Sequence, residues 1–260
     1  MRFSPSRSDN DFGPAVAVSN PGGRAPIVLV CEHASRTIPP ALDGLGLGPV
    51  AAQSHVAWDI GALDLARGLS ERLDAPLVAG RLSRLVYDCN RPPEAHDAIP
   101  ARSEVFEIPG NQDLPQAERA RRTALVYEPF HDALATLLAA RTRPTVLVTV
   151  HSFTPVYNGT PRDVELGLLH GDDDRLARSM LVHTGQTGWL CALNAPYGPQ
   201  DGVLHTLDRH AAPQGMLNVM IELRNDLIRD QQGVGAAVVR LSALLGTALA
   251  DLGVTEQGSA

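Results

Sequence analysis

Short, continuous apolar runs alternate with longer segments of helical periodicity along this chain, and few folds accommodate that order. The runs "IVLVC" (27–31) and "TVLVTV" (145–150) have the length and the β-branched content of strands that are buried on both faces. Between them, "DIGALDLARGLSERLD" (59–74) places apolar residues at three- and four-residue spacing, which predicts an amphipathic helix with Asp59 at its N-cap or in its first turn. Strands that alternate with helices indicate a mostly parallel sheet covered by helices on both faces.

The remaining segments complete this α/β pattern. Further strands are predicted at "PLVAG" (76–80), "RLVYDC" (84–89) and "MLNVMIEL" (216–223). Further helices are predicted over 116–141, with a break near Pro129, over 172–185 and over 234–252. Residues 92–115 are predicted to form a long surface loop. We expect one α/β domain over 25–253, with a flexible or edge segment at 1–24 and a C-terminal tail at 254–260.

Composition excludes several classes of partner. The 260 residues include 22 Lys and Arg against 29 Asp and Glu, a formal net charge of −7, which argues against a nucleic-acid partner. The three cysteines form no CxxC pair, so a thiolate metal site has no support. No stretch of about 18 consecutive apolar residues occurs, and the N-terminal residues lack a continuous apolar leader. We therefore expect a cytoplasmic protein without a membrane partner.

Polar side chains stand where the predicted buried strands end. Glu32 and His33 follow the first apolar run, His151 follows the second, Asp59 opens the first long helix, and Glu222 lies in the last apolar run. Ligands of α/β sheets collect outside the carboxyl ends of the strands, so these side chains are expected to lie close together. Two imidazoles and a carboxylate form a usual zinc set, and a further carboxylate can act as general base.

The strand ends therefore predict His33, Asp59 and His151 as metal ligands, with Glu222 as the base. Zinc is the expected ion, although nitrogen and oxygen ligands also suit other divalent metals. His55 is an alternative ligand because it lies four residues before Asp59. The competing interpretation is that these histidines are ordinary hydrogen-bonded or surface residues, as expected for His96, His131, His170 and His183.

Six motifs of this chain resemble a known family, the N-formylglutamate amidohydrolases. They are "VCEHASRTIP" (30–39), "HVAWDIGA" (55–62), "SRLVYDCNRP" (83–92), "IPGN" (108–111), "VHSFTPV" (150–156) and "IELRNDL" (221–227). The resemblance implies a phosphorylase/hydrolase-like α/β fold, similar to that of zinc carboxypeptidases and zinc-dependent amidases. It also implies a three-layer α/β/α arrangement and a role in amino-acid metabolism such as histidine degradation.

The resemblance also implies a metal site at the four residues reached from the strand ends. In one respect the sequence departs from the carboxypeptidase-like relatives, which place an acid three residues after the first histidine. This chain has Arg36 there, so the resemblance leaves Asp59 or Glu32 as the carboxylate ligand, and Asp59 is preferred.

The implied substrate carries carboxylates, which guanidinium groups bind through paired, charge-assisted hydrogen bonds. Five residues are predicted to contact it: Arg84, Asn90, Arg91, Ser152 and Arg224. The alternative for the arginines is structural pairing with Asp88 and Asp226. Ser152 could instead be a nucleophile, but no G-x-S-x-G turn surrounds it.

The function implied by the resemblance is a metal-dependent amidohydrolase. Its small-molecule substrate would be an N-formyl or N-acyl amino acid such as N-formyl-L-glutamate, cleaved at the linear amide by metal-activated water. Two alternatives stay open from the sequence. One is a related zinc hydrolase of another N-acyl amino acid or peptide, and the other is an inactive binding protein with the same fold.

Overall fold

A seven-stranded sheet runs through the computed structural model, which describes residues 12–254. Its strands are β1 (Val16–Ser19), β2 (Ile27–Cys31), β3 (Leu77–Gly80), β4 (Val146–Phe153), β5 (Leu166–Leu169), β6 (Cys191–Leu193) and β7 (Asn218–Arg224). Their spatial order is β1-β3-β2-β4-β7-β5-β6. The four central strands are parallel, while β1 runs antiparallel to β3 and β5 runs antiparallel to β7. The predicted mostly parallel sheet is confirmed.

Seven α-helices cover this sheet in the described part of the chain. They are α1 (Pro49–Gln53), α2 (Ala62–Leu73), α3 (Gln116–Arg122), α4 (Glu128–Ala139), α5 (Arg175–His183), α6 (His205–His210) and α7 (Gln231–Asp251). Helices α2, α5 and α7 share one buried apolar cluster with the sheet, and α4 and α6 share a second cluster on the opposite face. This is the predicted three-layer α/β/α arrangement.

The continuous apolar runs are explained by these two clusters. In β2, Ile27, Leu29 and Cys31 belong to the cluster under α2, α5 and α7, whereas Val28 and Val30 belong to the cluster under α4. All five residues of the strand are buried. Because successive side chains of a strand point to opposite faces, a strand between two helical layers needs an apolar residue at every position.

The prediction of a strand at 84–89 is wrong, because these residues form turns. Ser83 redirects the backbone there: its Oγ donates a hydrogen bond to the Ala57 carbonyl at 2.7 Å and accepts one from the Leu85 amide at 3.1 Å. Asp88 also accepts a hydrogen bond from the Asn90 amide at 2.9 Å. Such local side-chain bonds to the backbone replace the pairing of a sheet, although the apolar side chains of the segment remain buried.

The predicted helix over 116–141 is divided into three parts. Helix α3 ends at Arg122, a π-helical turn covers Thr123–Tyr127, and α4 begins at Glu128. The predicted break therefore lies one turn ahead of Pro129. Proline has no N–H and its ring crowds the carbonyl four residues earlier, and a widened π turn relieves that conflict.

The ends of the chain are described only in part. Residues 1–11 and 255–260, in the predicted N-terminal segment and C-terminal tail, lie outside the described residues. Within the N-terminal segment, β1 pairs with β3 at the edge of the sheet. In the predicted loop 92–115, Arg102–Ser103 and Phe106–Glu107 form a short hairpin.

Helix α7 is long and apolar enough in composition to span a membrane. Seven of its apolar residues are buried, from Ala237 to Leu249, and all seven pack in the cluster shared with α2 and α5. A mostly apolar helix of this kind is also expected in the core of a globular domain. The packing within the domain therefore accounts for the composition of α7.

Candidate metal centre and active-site cavity

Backbone contacts bring four of the predicted site residues to one end of the sheet. His33 lies two residues beyond β2, His151 lies in β4, and Glu222 lies in β7 directly opposite His151 in the parallel register. Asp59 precedes α2, and its backbone N–H donates to the His33 carbonyl at 2.9 Å. The turn before the helix is thus attached to the end of β2, which fixes the position of the Asp59 side chain.

The two imidazoles converge on one carboxylate oxygen. His151 Nδ1 lies 2.9 Å from Asp59 Oδ2, and His33 Nδ1 lies 3.4 Å from the same oxygen. One ligand atom from each of the three residues lies within 4.8 Å of the other two, and all three side chains are buried. The spacing is that of a group that could hold a single metal ion.

A second carboxylate lies behind each imidazole. Asp88 Oδ1 lies 2.7 Å from His33 Nε2, and Glu32 Oε2 lies 3.0 Å from His151 Nε2. A carboxylate at Nε2 favours a proton on that nitrogen, so the Nδ1 lone pair is directed toward Asp59. Glu32, the alternative carboxylate ligand from the sequence, therefore occupies a supporting position instead, because it lies on the far side of His151.

Neighbouring carboxylates shift the pKa values of both histidines. Burial disfavours the charged imidazole of His33, but Asp88 and Asp59 outweigh it and raise its pKa. Burial also opposes charge on His151, whose pKa is nevertheless raised well above its usual value by Glu32 and Asp59. The carboxylates thus create a strongly negative environment, which favours a bound cation.

Glu222 has the opposite shift. Burial raises the pKa of its carboxyl group to about 7, and the nearby Asp59 adds to the effect while His151 opposes it. A carboxylate with a pKa near neutrality can both accept and release a proton at the pH of the cell. The side chain is only 6% exposed and lines the same cavity as the histidines.

The donor set fits a divalent metal. His33 Nδ1 is buried and has no hydrogen-bond partner within residues 12–254, and the same holds for Glu222 Oε2. An unsatisfied buried acceptor costs free energy, and a cation coordinated at Nδ1 removes that cost. Imidazole nitrogen and carboxylate oxygen suit zinc and several other divalent ions. His33, Asp59 and His151 could therefore hold a metal and leave a position for water.

A cavity of about 390 Å³ opens over this group. Arg84 lines it and contacts both acids beside His33: Nη2 lies 2.8 Å from Asp88 Oδ2, and Nη1 lies 3.4 Å from Asp59 Oδ1. The remaining N–H groups of this guanidinium are available to a ligand. Arg84 thus lies in the position expected for a substrate contact.

Asn90 and Arg91 also line the cavity, but internal contacts occupy their side chains. The amide of Asn90 donates to the Val203 carbonyl and accepts from the Thr206 N–H at 3.0 Å. Arg91 pairs with Asp97 at 2.7 Å and donates to backbone carbonyls of the 201–202 loop. Both side chains hold the cavity wall together, which differs from the expected direct contact with substrate.

Ser152 lies beside the metal group, with its hydroxyl bonded to the Ile60 carbonyl at 2.8 Å. Its backbone N–H faces Asp59 Oδ2 at 3.3 Å. A hydroxyl that donates to a backbone carbonyl has no base to activate it as a nucleophile. The contacts favour a role for Ser152 in holding the turn that carries Asp59.

Arg224 does not line the cavity, contrary to the expectation from sequence. Its guanidinium pairs with Asp226 at 2.8 Å and Glu165 at 3.2 Å, and it donates to the Arg162 carbonyl at 3.1 Å. The alternative of structural pairing with Asp226 describes these contacts. The physical reason is that nearby acids and carbonyls satisfy the guanidinium.

His55, the alternative ligand, is outside the metal group. Its Nε2 pairs with Glu104 Oε1 at 2.8 Å on the cavity wall. Arg36, which stands where relatives have an acid, places its guanidinium carbon 5.6 Å from the centre of the Trp58 ring. Neither side chain therefore supplies a ligand to the group around Asp59.

Sequence reasoning missed three contributors to this region. The sequence predicts Asp88 only as a partner of an arginine, and it gives no prediction for Tyr197 or Arg162. A local sequence pattern could have indicated the segment that carries Arg162. "YNGT" (157–160) contains Asn-Gly, a strong indication of a tight hairpin directly after the strand that carries His151. No comparable signal marks Tyr197, which lies in an irregular segment.

Comparison with known proteins places the chain in a family. The family model of N-formylglutamate amidohydrolase matches residues 25–229. A crystal structure of a gene product from Agrobacterium tumefaciens is 51% identical over 93% of this chain and 97% of its own, with a TM-score of 0.91. No functionally curated protein matches the chain.

A second structure extends the likeness of fold. The N-formylglutamate amidohydrolase from Ralstonia eutropha is 19% identical over 92% of this chain and 98% of its own, with a TM-score of 0.66. Its likeness confirms the predicted phosphorylase/hydrolase-like α/β fold. By the match over residues 25–229, the chain belongs to the N-formylglutamate amidohydrolase family, whose members are hydrolases that act on carbon–nitrogen bonds of linear amides other than peptide bonds.

Proposed function

We propose that this protein is a metal-dependent amidohydrolase that removes the formyl group from an N-formyl amino acid such as N-formyl-L-glutamate. The products would be formate and the free amino acid. The observation that carries the proposal is the convergence of His33 Nδ1 and His151 Nδ1 on Asp59 Oδ2 at the base of a cavity. Family membership supports the class of reaction, and the site supports its dependence on a metal.

His33, Asp59 and His151 would hold the metal, with zinc the expected ion. When bound in such a set, a divalent ion lowers the pKa of a water molecule and polarises the carbonyl under attack. The hydrogen bond with Asp88 keeps Nε2 of His33 protonated and its ring oriented, and the Glu32 carboxylate, 3.0 Å from His151 Nε2, favours a proton on that nitrogen. The buried position of the three ligands excludes competing solvent from the centre.

Glu222 is the proposed general base. Its carboxylate takes a proton from the attacking water and then delivers that proton to the amide nitrogen as the carbon–nitrogen bond breaks. The parallel register holds Glu222 beside His151, within the cavity. A pKa of about 7 suits a group that must be unprotonated before attack and protonated afterwards.

Arg84 is the proposed contact for the substrate near the metal group. It already lies against Asp59 and Asp88, and its free N–H groups face the cavity. The partner is thus a small N-acyl amino acid, and the net negative charge of the chain gives no support to a nucleic-acid ligand. The proposed location is cytoplasmic.

The test is hydrolysis of N-formylglutamate and other N-formyl and N-acyl amino acids by the purified protein, with elemental analysis of the same sample. We expect release of formate, about one equivalent of metal per chain, and loss of activity after chelation with recovery on addition of zinc. Activity that survives complete removal of metal would contradict the metal dependence. Absence of turnover on every N-acyl amino acid would contradict the proposed reaction.

A further inference from the structure

Arg162 contacts three aromatic residues that line the active-site cavity, but it does not line the cavity itself. Its guanidinium carbon is 4.4 Å from the centre of the Tyr157 ring, 4.8 Å from that of Tyr197 and 5.5 Å from that of Phe153. These are distances at which a cation is attracted to the ring face. All three aromatic residues line the cavity above the metal group.

The charge of Arg162 is not neutralised by an acid. The three arginines that line the cavity each form an ion pair: Arg84 with Asp59 and Asp88, Arg91 with Asp97, and Arg102 with Glu107. Arg162 forms no ion pair with an acidic side chain anywhere between residues 12 and 254. Its side-chain hydrogen bonds go to the Thr154 carbonyl at 3.5 Å and to the Tyr197 hydroxyl at 2.9 Å. A partly buried cation without an acid attracts a negatively charged ligand.

The bond from Arg162 to Tyr197 determines how that hydroxyl can act. The guanidinium has no acceptor, so Arg162 Nη2 donates and the Tyr197 oxygen accepts. The phenolic hydrogen of Tyr197 is then left for another partner, and no second hydrogen bond of this hydroxyl occurs in the described structure. Burial raises the pKa of Tyr197, and Glu222 adds to the shift, so the hydroxyl stays protonated and acts as a donor.

Hydrogen bonds to its backbone hold the segment that carries Arg162. Asn158 and Gly159 have φ angles of 48° and 78°, as a two-residue type I′ hairpin turn requires. The hairpin is closed by a hydrogen bond from the Arg162 N–H to the Pro155 carbonyl at 2.8 Å. Arg224 then donates to the Arg162 carbonyl at 3.1 Å. Arg224, the arginine of the "IELRNDL" motif, therefore stabilises the hairpin through this hydrogen bond.

We propose that Tyr197 and Arg162 form the subsite for a carboxylate of the substrate's amino-acid portion. The Tyr197 hydroxyl donates a hydrogen bond to the carboxylate, and Arg162 supplies the positive charge and orients the hydroxyl. Arg162 is thus a positioning residue, and Arg224 supports it through the backbone. This inference rests on the proposed function, because it assumes an N-acyl amino acid in the cavity.

The test compares Tyr197→Phe with Tyr127→Phe in the metal-loaded enzyme. Tyr127 is the control because its hydroxyl also accepts from an arginine, Arg209, at 2.9 Å, but it already has a second partner, His205 Nε2 at 2.8 Å, and does not line the cavity. A hydrogen bond to a charged group is worth enough to change binding by about 10- to 100-fold. We expect Tyr197→Phe to raise KM for N-formylglutamate by that factor with kcat within a few-fold of wild type, and Tyr127→Phe to change neither.

Substrate analogues identify the group that is bound. N-formylglutamine lacks the side-chain carboxylate of N-formylglutamate, and the α-amide of N-formylglutamate lacks the α-carboxylate. Wild type is expected to bind the analogue without the recognised carboxylate more weakly than N-formylglutamate. Tyr197→Phe and Arg162→Gln should abolish this difference. Arg162→Lys should restore part of it because the charge returns. An undiminished difference in Tyr197→Phe, or an unchanged KM, would overturn the inference.

Direct binding separates this inference from the proposed function. Calorimetric titration of N-formylglutamate into metal-loaded Glu222→Gln, with and without Tyr197→Phe, measures affinity without turnover. Weaker binding with Tyr197→Phe supports the subsite even if wild type hydrolyses no N-formyl amino acid, a result that contradicts only the proposed function. Equal affinity in the two proteins, or no binding in either, overturns the subsite even if wild type is active.

Discussion

Glu222 and His151 lie directly opposite each other on neighbouring parallel strands, one in β7 and one in β4. One side chain is the proposed base and the other a proposed ligand, so sheet pairing fixes the position of the base relative to that ligand. The substitution Glu222→Gln keeps the shape of the side chain and removes its ability to take a proton. We expect turnover to fall by about 10²–10⁴-fold while metal content stays at the wild-type level. Metal analysis and formate release measured on the same sample check this.

An active Glu222→Gln enzyme would require another base. Loss of both metal and turnover would instead place Glu222 among the ligands, contrary to the geometry around Asp59.

The sequence leaves Asp59 or Glu32 as the carboxylate ligand, and measurements of metal affinity distinguish the two. Asp59→Asn removes the oxygen on which both Nδ1 atoms converge, so we expect stoichiometric metal binding to be lost. Glu32→Gln removes only the carboxylate behind His151, for which a weakening of about 10- to 100-fold is typical. Metal titration with a competing chelator checks both variants, and circular dichroism controls for folding. The reverse order of the two effects would assign Glu32 as the ligand.

Ser152→Ala tests whether the hydroxyl is a nucleophile. We expect activity within a few-fold of wild type and full sensitivity to chelation, because Ser152 Oγ donates to the Ile60 carbonyl and not to substrate. Loss of this bond should lower the free energy of unfolding by about 1 kcal/mol. Urea unfolding and a chelator titration provide the two measurements. A serine hydrolase would give the opposite pattern, with no turnover in the variant and resistance of wild type to chelators.

Two buried histidines outside the site predict a dependence of stability on pH. His131 Nδ1 lies 2.8 Å from His210 Nε2, and His131 Nε2 donates to the Cys89 carbonyl at 2.9 Å. Burial is the main cause of a lowered pKa in both, about 3 for His131 and about 4 for His210. The unfolded chain takes up protons near pH 6.5, so the unfolded state holds more protons between that pH and about 4.

Stability contributed by these two histidines is therefore complete above about pH 6.5 and is lost as the pH falls, by about 1.4 kcal/mol per pH unit for each. Urea unfolding of metal-free protein between pH 7.5 and 5 measures the slope. We expect His210→Gln to reduce this slope, because it removes one of the two buried imidazoles. Equal slopes in wild type and His210→Gln would contradict the assignment.

The apolar runs predicted the architecture well because burial on two faces leaves a continuous signature. β2, β4 and β7 were placed within a few residues, and the polar side chains at their ends predicted the group that His33, Asp59 and His151 form in the structure. The segment 84–89 carried a similar apolar content but forms turns, because Ser83 and Asp88 bond to the local backbone. Composition does not distinguish a buried turn from a short strand.

The residues that contact the substrate are harder to predict from the sequence than the metal ligands. Arginine identity predicts an ability to bind carboxylates, but whether a guanidinium is free depends on neighbours that are distant in sequence. The Arg224 guanidinium pairs with Glu165 and Asp226, whereas within residues 12–254 Arg162 forms no ion pair with an acid. These pairings arise from how the segment 155–165 folds back against β7, which no local pattern specifies.

Successive side chains of β7 point to opposite faces of the sheet, and this has a consequence for how the enzyme can misfold. Ile221 and Leu223 enter one apolar cluster while Glu222 points into the cavity. A slip of one residue in strand pairing would send the carboxylate toward the helices α2, α5 and α7 and turn apolar side chains toward the histidines. Recovery of activity after refolding is therefore a sensitive assay for native strand registry, since a slipped sheet could retain much of its secondary structure and yet hold no base beside the metal group.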